Sequence, residues 1–149
     1  MPATQAKKDF FRICRMPGVK MIGFAPSGKE LFVATEHVYL RKDAKDELRD
    51  IGEFIISICR VPSSKFHFEN LTPLKTLDSR GSVGRYHHPH IPPSGNICLQ
   101  GGELEIKMAI AEGDMPTVVQ LLWIALNSLG PGIPFLSASI ENWPLKKDA

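Results

Sequence analysis

The sequence predicts an α+β domain on three observations. Short β-prone runs, separated by turn residues, follow one another through the first half of the chain, the pattern of an antiparallel meander. One amphipathic pattern over 115–129 stands out near the C-terminus as a helix. Hydrophobic residues make up 43% of the 149, enough for a buried core, and the length suits one domain spanning 1–149.

The first expected element is a short helix over "ATQAKKDFFRICR", residues 3–15, with Phe10, Phe11 and Cys14 near one face. Pro17-Gly18 ends it. "VKMIGFA" (19–25) and "KELFVATEHVYL" (29–40) flank Pro26-Ser27-Gly28 and read as a hairpin. "RKDAKDELRD" (41–50) is a charged connection with room for a helical turn. In "EFIISICRV" (53–61), Phe54, Ile56 and Ile58 alternate against Ile55, Ser57 and Cys59, which predicts a buried strand. A fourth strand is expected within "SKFHFENLT" (64–72), with "PLKTLD" (73–78) as the alternative.

"LDSRGSVGRYHHPHIPPSGN" (77–96) carries three glycines and three prolines and predicts a long irregular loop, ordered by its aromatic and aliphatic residues. The helix at 115–129 places Val118, Leu121, Leu122, Ala125 and Leu129 at helical spacing. Val119, Trp123 and Leu126 widen that face, so Trp123 is expected to be mostly buried. Pro116 suits its first turn, Asp114 suits the positive helix end, and Gly130-Pro131-Gly132 stops it. The remaining "IPFLSASIENWPLKKDA" is short and is expected along the core before a frayed end.

Composition narrows the function. Eighteen basic and 16 acidic side chains give a net charge of +2, with no broad footprint for nucleic acid. Lys7, Lys8, Arg12, Arg15 and Lys20 gather locally, which reads first as a solvated face and second as a docking surface. No stretch has the apolar length of a membrane span, and "MPATQAKKDFF" lacks the core of a signal peptide. Cys14, Cys59 and Cys98 are odd in number and widely spaced, as expected of a reducing compartment and a cytoplasmic protein. Cys14 and Cys59 read as core cysteines.

The stretch "YHHPHIPPSGNICLQGG" (86–102) poses the functional question. His87, His88, His90 and Cys98 include enough ligand types for zinc. Pro89 constrains the histidines on either side of it, and no second pair follows at a usual spacing, so no metal is expected. Cys98 reads either as a nucleophile with a supporting loop or as a small core residue between Ile97 and Leu99.

"HPHIPPSGNICL" resembles the active-site signature of ubiquitin-conjugating enzymes: His-Pro-Asn, then Ile or Val, a short turn, Gly, one residue, and Ile-Cys-Leu. The family's cysteine falls eight residues after the Asn, and Cys98 falls eight after His90. His88, Pro89, Ile91, Gly95, Ile97, Cys98 and Leu99 match in one register. "MPTVVQLLWIALNSL" resembles the family's helix beneath the active site. His90 stands where the family has Asn, the stretch from Cys98 to the helix is longer, and "LGPGIPFLS" lacks the family's acidic residue. The C-terminus is short of two helices. A short, divergent member of this kind resembles the conjugating-type proteins of bacterial ubiquitin-like operons, some implicated in antiviral defence.

The resemblance implies a four-stranded meander with an N-terminal helix and a major helix after the cysteine loop. It implies that Cys98 carries ubiquitin or a ubiquitin-like protein as a thioester and transfers it to a target amine. The implied partners are that protein, an activating enzyme, and a ligase or target protein, with no cofactor, nucleic acid or membrane. His90 would stabilise the oxyanion or order the loop; both roles stay open. His88, Pro89, Gly95 and Asn96 would support the loop, with Pro92 and Pro93 stiffening it. Glu112 and Asp114 read first as loop solvation and helix-end charge, and second as acidic groups that help an incoming amine. A catalytically inactive binding module of the same fold is the competing reading. A Cys-His hydrolase would need a base and an orienting group that the sequence does not place.

Overall fold

A computed structural model describes residues 3–26, 29–59, 65–95, 103–128 and 138–147. The chain runs through α1 (Ala3–Cys14), β1 (Val19–Phe24), β2 (Glu30–Thr35), β3 (Val38–Leu40), β4 (Arg49–Gly52), β5 (Phe54–Cys59) and β6 (Lys65–Asn70). Then come β7 (Leu74–Leu77), β8 (Val83–Tyr86), α2 (Glu103–Glu112), α3 (Met115–Leu126) and a 3₁₀ turn at Ile140–Asn142. The class is α+β, and the named strand pairs are all antiparallel.

The main sheet has four strands in the order β1-β2-β5-β6. Its register places Val33 opposite Ile56 and Ile56 opposite Phe68, so one face buries Leu31, Val33, Phe54, Ile56, Ile58 and Phe68. The alternation read in 53–61 therefore holds: Phe54, Ile56 and Ile58 are the buried set. Burial of this face against Val118, Val119, Leu122 and Leu126 of α3 builds the core.

The meander is interrupted where 29–40 was expected to run as one strand. The hydroxyl of Thr35 accepts the Phe54 N–H and donates to the Glu36 carbonyl, while the Glu36 N–H bonds the Gly18 carbonyl. The chain leaves the sheet there, and Val38–Leu40 pairs with Arg49–Gly52 as a separate ribbon. Residues 41–50 thus end in a strand. Asp43 takes the Lys45 N–H on its side chain and the Asp46 N–H on its carbonyl, a turn that competes with helix.

Both candidates for the fourth strand are strands. Lys65–Asn70 completes the main sheet, and Leu74–Leu77 pairs with Val83–Tyr86. The expected irregular loop over 77–96 is therefore a hairpin in its first half. Asp78 closes that turn by accepting the N–H groups of Arg80 and Ser82, which also holds its carboxyl below the usual range.

Two helical expectations need correction. In α1, Ile13 and Asp9 face the protein, whereas Phe10, Phe11 and Cys14 are exposed. Phe10 packs edge-on to Phe11 and stacks on Phe24, forming a surface aromatic cluster. Cys59 is half-buried. Trp123 is mostly buried, as expected: it packs against the core and its indole lies against Gly18 in the turn after α1. Helix α2 was not expected; Ile106, Ala109 and Ile110 are its buried residues, and Gly113 at φ +77° follows it. The Asp114 carboxylate then caps α3 by accepting the Thr117 N–H and hydroxyl, and Pro116 sits in the first turn. Residues 130–132, expected as the helix stop, lie outside the described residues; α3 ends at Leu126 with Asn127 bonding back to Trp123.

The C-terminal segment lies along the core as expected, burying Ala138, Ile140 and Trp143. Up to Lys146 it pairs: the Asp50 N–H donates to the Pro144 carbonyl and the Lys146 N–H to that of Leu48, extending the β3–β4 ribbon, and the last two residues, where a frayed end was expected, lie outside the described residues. Among the described residues, no helix is long and apolar enough to cross a membrane.

Candidate functional site

After β8 the chain turns tightly at His88-Pro89-His90-Ile91. The Ile91 N–H bonds the His88 carbonyl at 2.9 Å, the His87 N–H bonds the Ile91 carbonyl at 3.1 Å, and Ile91 is fully buried. His88 is also fully buried, beside Phe54. Its Nε2 lies 2.8 Å from the Leu126 carbonyl, which only accepts, so Nε2 carries the proton. Its Nδ1 accepts the His90 N–H at 3.0 Å. Burial pushes the His88 pKa down to about 3, so this imidazole is neutral at physiological pH. The Pro89 carbonyl accepts the Ala138 N–H, fastening the turn to the C-terminal segment.

His87 points the other way, onto the edge of β6. Its Nδ1 accepts the Asn70 N–H at 2.9 Å, which leaves Nε2–H to donate to the Pro93 carbonyl at 3.3 Å. Burial lowers its pKa, in keeping with a neutral ring. Asn70 is itself buried; its amide donates to the carbonyls of Ile51 and His87, and its oxygen accepts the Thr72 N–H. One imidazole and one amide thus join β4, β6, the turn and the Pro92-Pro93 segment.

That segment ends at Gly95, which is pinned on β6. The Gly95 carbonyl accepts the Phe68 N–H, and the His67 Nε2–H donates to the Ser94 carbonyl. Gly95 has φ +78°, and a Cβ there would strike the His67 ring and come within 2.6 Å of the Phe68 carbonyl. Both the dihedral and the close approach require glycine. Pro93 packs over Gly84 of β8, leaving 3.0 Å for an added Cβ.

His90 differs from the histidines around it. Its ring is half-buried, sits edge-on to His88 with centroids 6.1 Å apart, and has no hydrogen-bond partner among the described residues. Burial lowers its pKa, favouring the neutral ring with one N–H to donate.

The structure therefore brings His88, Pro89, His90 and Gly95 into one braced loop. Cys98 and Asn96 lie outside the described residues. Both ring nitrogens of His87 and of His88 are taken by hydrogen bonds, so neither has a lone pair for a metal without breaking one. No cluster of metal-ligating side chains occurs among the described residues. Asp114 serves as the α3 cap, and Glu112 is exposed at the end of α2. A polar cavity of about 450 Å³ lies elsewhere, between the 42–49 connection and the C-terminal segment.

Sequence reasoning missed Asn70 and His67 as loop supports. Asn70 carried one signal: it stands in phase with buried Phe68 on β6, and a polar residue at a core register implies a hydrogen-bonding task. His67 carried none, because its role depends on where Gly95 returns.

Comparisons with protein-family models, with curated proteins and with solved structures gave no match.

Proposed function

We propose that this protein is a ubiquitin-conjugating-type acyl carrier of ubiquitin-conjugating-enzyme-like fold. Cys98 accepts ubiquitin or a ubiquitin-like protein as a thioester and passes it to a target amine. The observation that carries this reading is the braced His88-Pro89-His90 turn at the edge of a four-stranded antiparallel sheet. It ends at a pinned glycine three residues before Cys98, in the family's eight-residue register from His90.

The chemistry is redox-neutral. The Cys98 thiolate attacks the carbonyl of a thioester on an activating enzyme, and that enzyme's thiolate leaves. A target amine then attacks the Cys98 thioester, the carbonyl oxygen takes the charge, and collapse forms the amide and releases the thiolate. The proton lost from nitrogen passes to solvent. The neutral His90 ring, half-buried and unpartnered among the described residues, is suited to donate to that oxyanion. His88 is too deeply buried to reach substrate and instead positions His90 through the backbone N–H it accepts.

The test is incubation with an activating enzyme and its ubiquitin-like protein, followed by intact-mass analysis with and without reducing agent. A thiol-labile adduct on Cys98 is expected. An adduct confined to Cys14 or Cys59, or none with active partners, overturns the reading in favour of a binding module.

A further inference from the structure

Helix α1 turns one side into the protein and the other outward. Ile13 and Asp9 are the buried side, and Asp9, the one carboxylate in the helix sequence, takes the Gln5 amide at 2.8 Å. At about 3.6 residues per turn, Phe10, Cys14, Lys7 and Phe11 follow one another around the outward side. Arg15, just past the helix end, Lys8 and Arg12 come next, and all seven are exposed.

Three rings stand together on the apolar part of this arc. Phe10 meets Phe11 edge-on with centroids 5.8 Å apart and stacks on Phe24 of β1 at 6.4 Å. Phe10, Phe11 and Phe24 are nevertheless 37%, 47% and 60% exposed. Single surface hydrophobics need no explanation, whereas three packed together mark an interaction surface. The basic part is equally open. Of the five cations that the sequence gathers here, Lys20 is taken by Glu53 at 2.7 Å. Lys7, Lys8, Arg12 and Arg15 form no ion pair among the described residues. The outward side of α1 and its following turn therefore carries four positive charges beside an aromatic cluster, with its carboxylate turned inward.

That charge is complemented by an anionic partner, and the arrangement selects which kind. An extended acidic chain would suit a groove, whereas this face is a convex helix from which the rings protrude. A single-stranded nucleic acid would suit open ring faces, whereas Phe10 already has Phe24 stacked on it and Phe11 against its edge. Protruding phenylalanines beside unpaired lysines and arginines match a lipid surface. The rings enter the boundary between headgroups and acyl chains, the cations stay among the phosphates, and the long stem of Lys7 reaches them from among the rings. Such attachment lies on the bilayer and needs no spanning helix.

We propose that the outward side of α1 attaches the protein to anionic phospholipid bilayers, with Phe10, Phe11 and Phe24 entering the interface and Lys7, Lys8, Arg12 and Arg15 meeting the phosphates. The proposal goes beyond the acyl-carrier reading and does not depend on Cys98.

Sedimentation of the full chain with vesicles tests it. Binding is expected to vesicles of roughly three parts phosphatidylcholine to one part phosphatidylserine, more than about tenfold weaker to phosphatidylcholine alone, and reduced by high salt. Lys8→Glu/Arg12→Glu/Arg15→Glu and, separately, Phe10→Ser/Phe11→Ser should each weaken it at least about tenfold. A measurement on the unaltered protein guards against a folding defect in either variant: spin-labelled lipid should broaden amide signals at residues 7–15 and 24 before others. No binding to the mixed vesicles, equal binding to phosphatidylcholine alone, unchanged binding in either variant, or broadening centred on another surface overturns the proposal. So does tighter binding of polyglutamate or of a single-stranded oligonucleotide through the same residues, which would make an acidic chain or a nucleic acid the occupant instead.

Discussion

The His88 Nε2–H meets the carbonyl oxygen of Leu126 at 2.8 Å, across 38 residues of sequence. The bond joins the turn after β8 to the last turn of α3, while burial and the His90 N–H accepted by Nδ1 keep the ring neutral. In the unfolded chain the imidazole titrates near 6.5, whereas in the fold its pKa is about 3. Between those values the unfolded state binds the extra proton. The stabilisation is therefore complete above about pH 6.5 and falls by about 1.4 kcal/mol per unit as pH drops toward 3. His87 and His90 are shifted in the same direction and add to the slope. Urea unfolding across this range should show stability falling with acid, with a shallower slope in His88→Asn. An equal slope in that variant would assign the penalty to other groups.

Asn70 is the second anchor. Asn70→Ala leaves the Ile51 and His87 carbonyls without its amide and the Thr72 N–H without its oxygen. Unmet buried groups of this kind cost about 1–3 kcal/mol each where water does not replace the bond. A total loss of about 2–4 kcal/mol is expected in denaturant titration. Long-range ¹H–¹⁵N spectra should show wild-type His87 protonated on Nε2 alone, and protonation on Nδ1 would refute the assigned network.

Gly95→Ala combines a positive φ with contact on His67 and Phe68. It should cost about 1–3 kcal/mol and alter the alkylation rate of Cys98 by displacing the preceding segment. Removing the ring with His67→Ala should recover part of the loss. Complete recovery would contradict the geometry, since the Phe68 carbonyl still blocks a Cβ.

Trp123 covers Gly18 and packs against the core without being fully buried. Trp123→Ala should cost about 2 kcal/mol, below the ~3–5 kcal/mol of fully buried aromatics. Gly18→Ala should destabilise and shift tryptophan emission, because φ is +85° and the added methyl strikes the indole. Urea melts followed by fluorescence test both, and a neutral Gly18→Ala would place the indole elsewhere.

His90 and Cys98 are tested by single-turnover kinetics. If His90 donates to the oxyanion, His90→Ala should load normally and discharge to amines about 10²–10³ more slowly. If His90 orders the loop, loading and discharge should fall together and His90→Asn should restore both. Cys98→Ser should fold and either trap an oxyester or fail to accept the acyl group, since an alcohol is the poorer nucleophile.

The elements that the sequence foretold are those whose signal is local. Phe54, Ile56 and Ile58 share a period of two, and Val118, Leu122 and Leu126 share a helical face, so burying one member buries the rest. Asp114 and Thr117 make a cap within one turn. Ile106, Ala109 and Ile110 also have helical spacing, but exposed Leu104 and Met108 blur the stripe and hid α2. The ribbon strands are short, and their partners lie across charged or glycine-bearing turns, so no period identified them.

By itself the sequence determined the α+β class, the strands of the main sheet, the major helix and the register from His90 to Cys98. Tertiary structure decided what each histidine does. Periodicity says which face of an element is buried, whereas a ring nitrogen takes its partner from whatever the fold brings alongside. That is Leu126 for His88, Asn70 for His87 and Ser94 for His67. The same distinction turned Phe10 and Phe11 outward: helical spacing left several faces of α1 possible, and docking of Ile13 into the core chose among them.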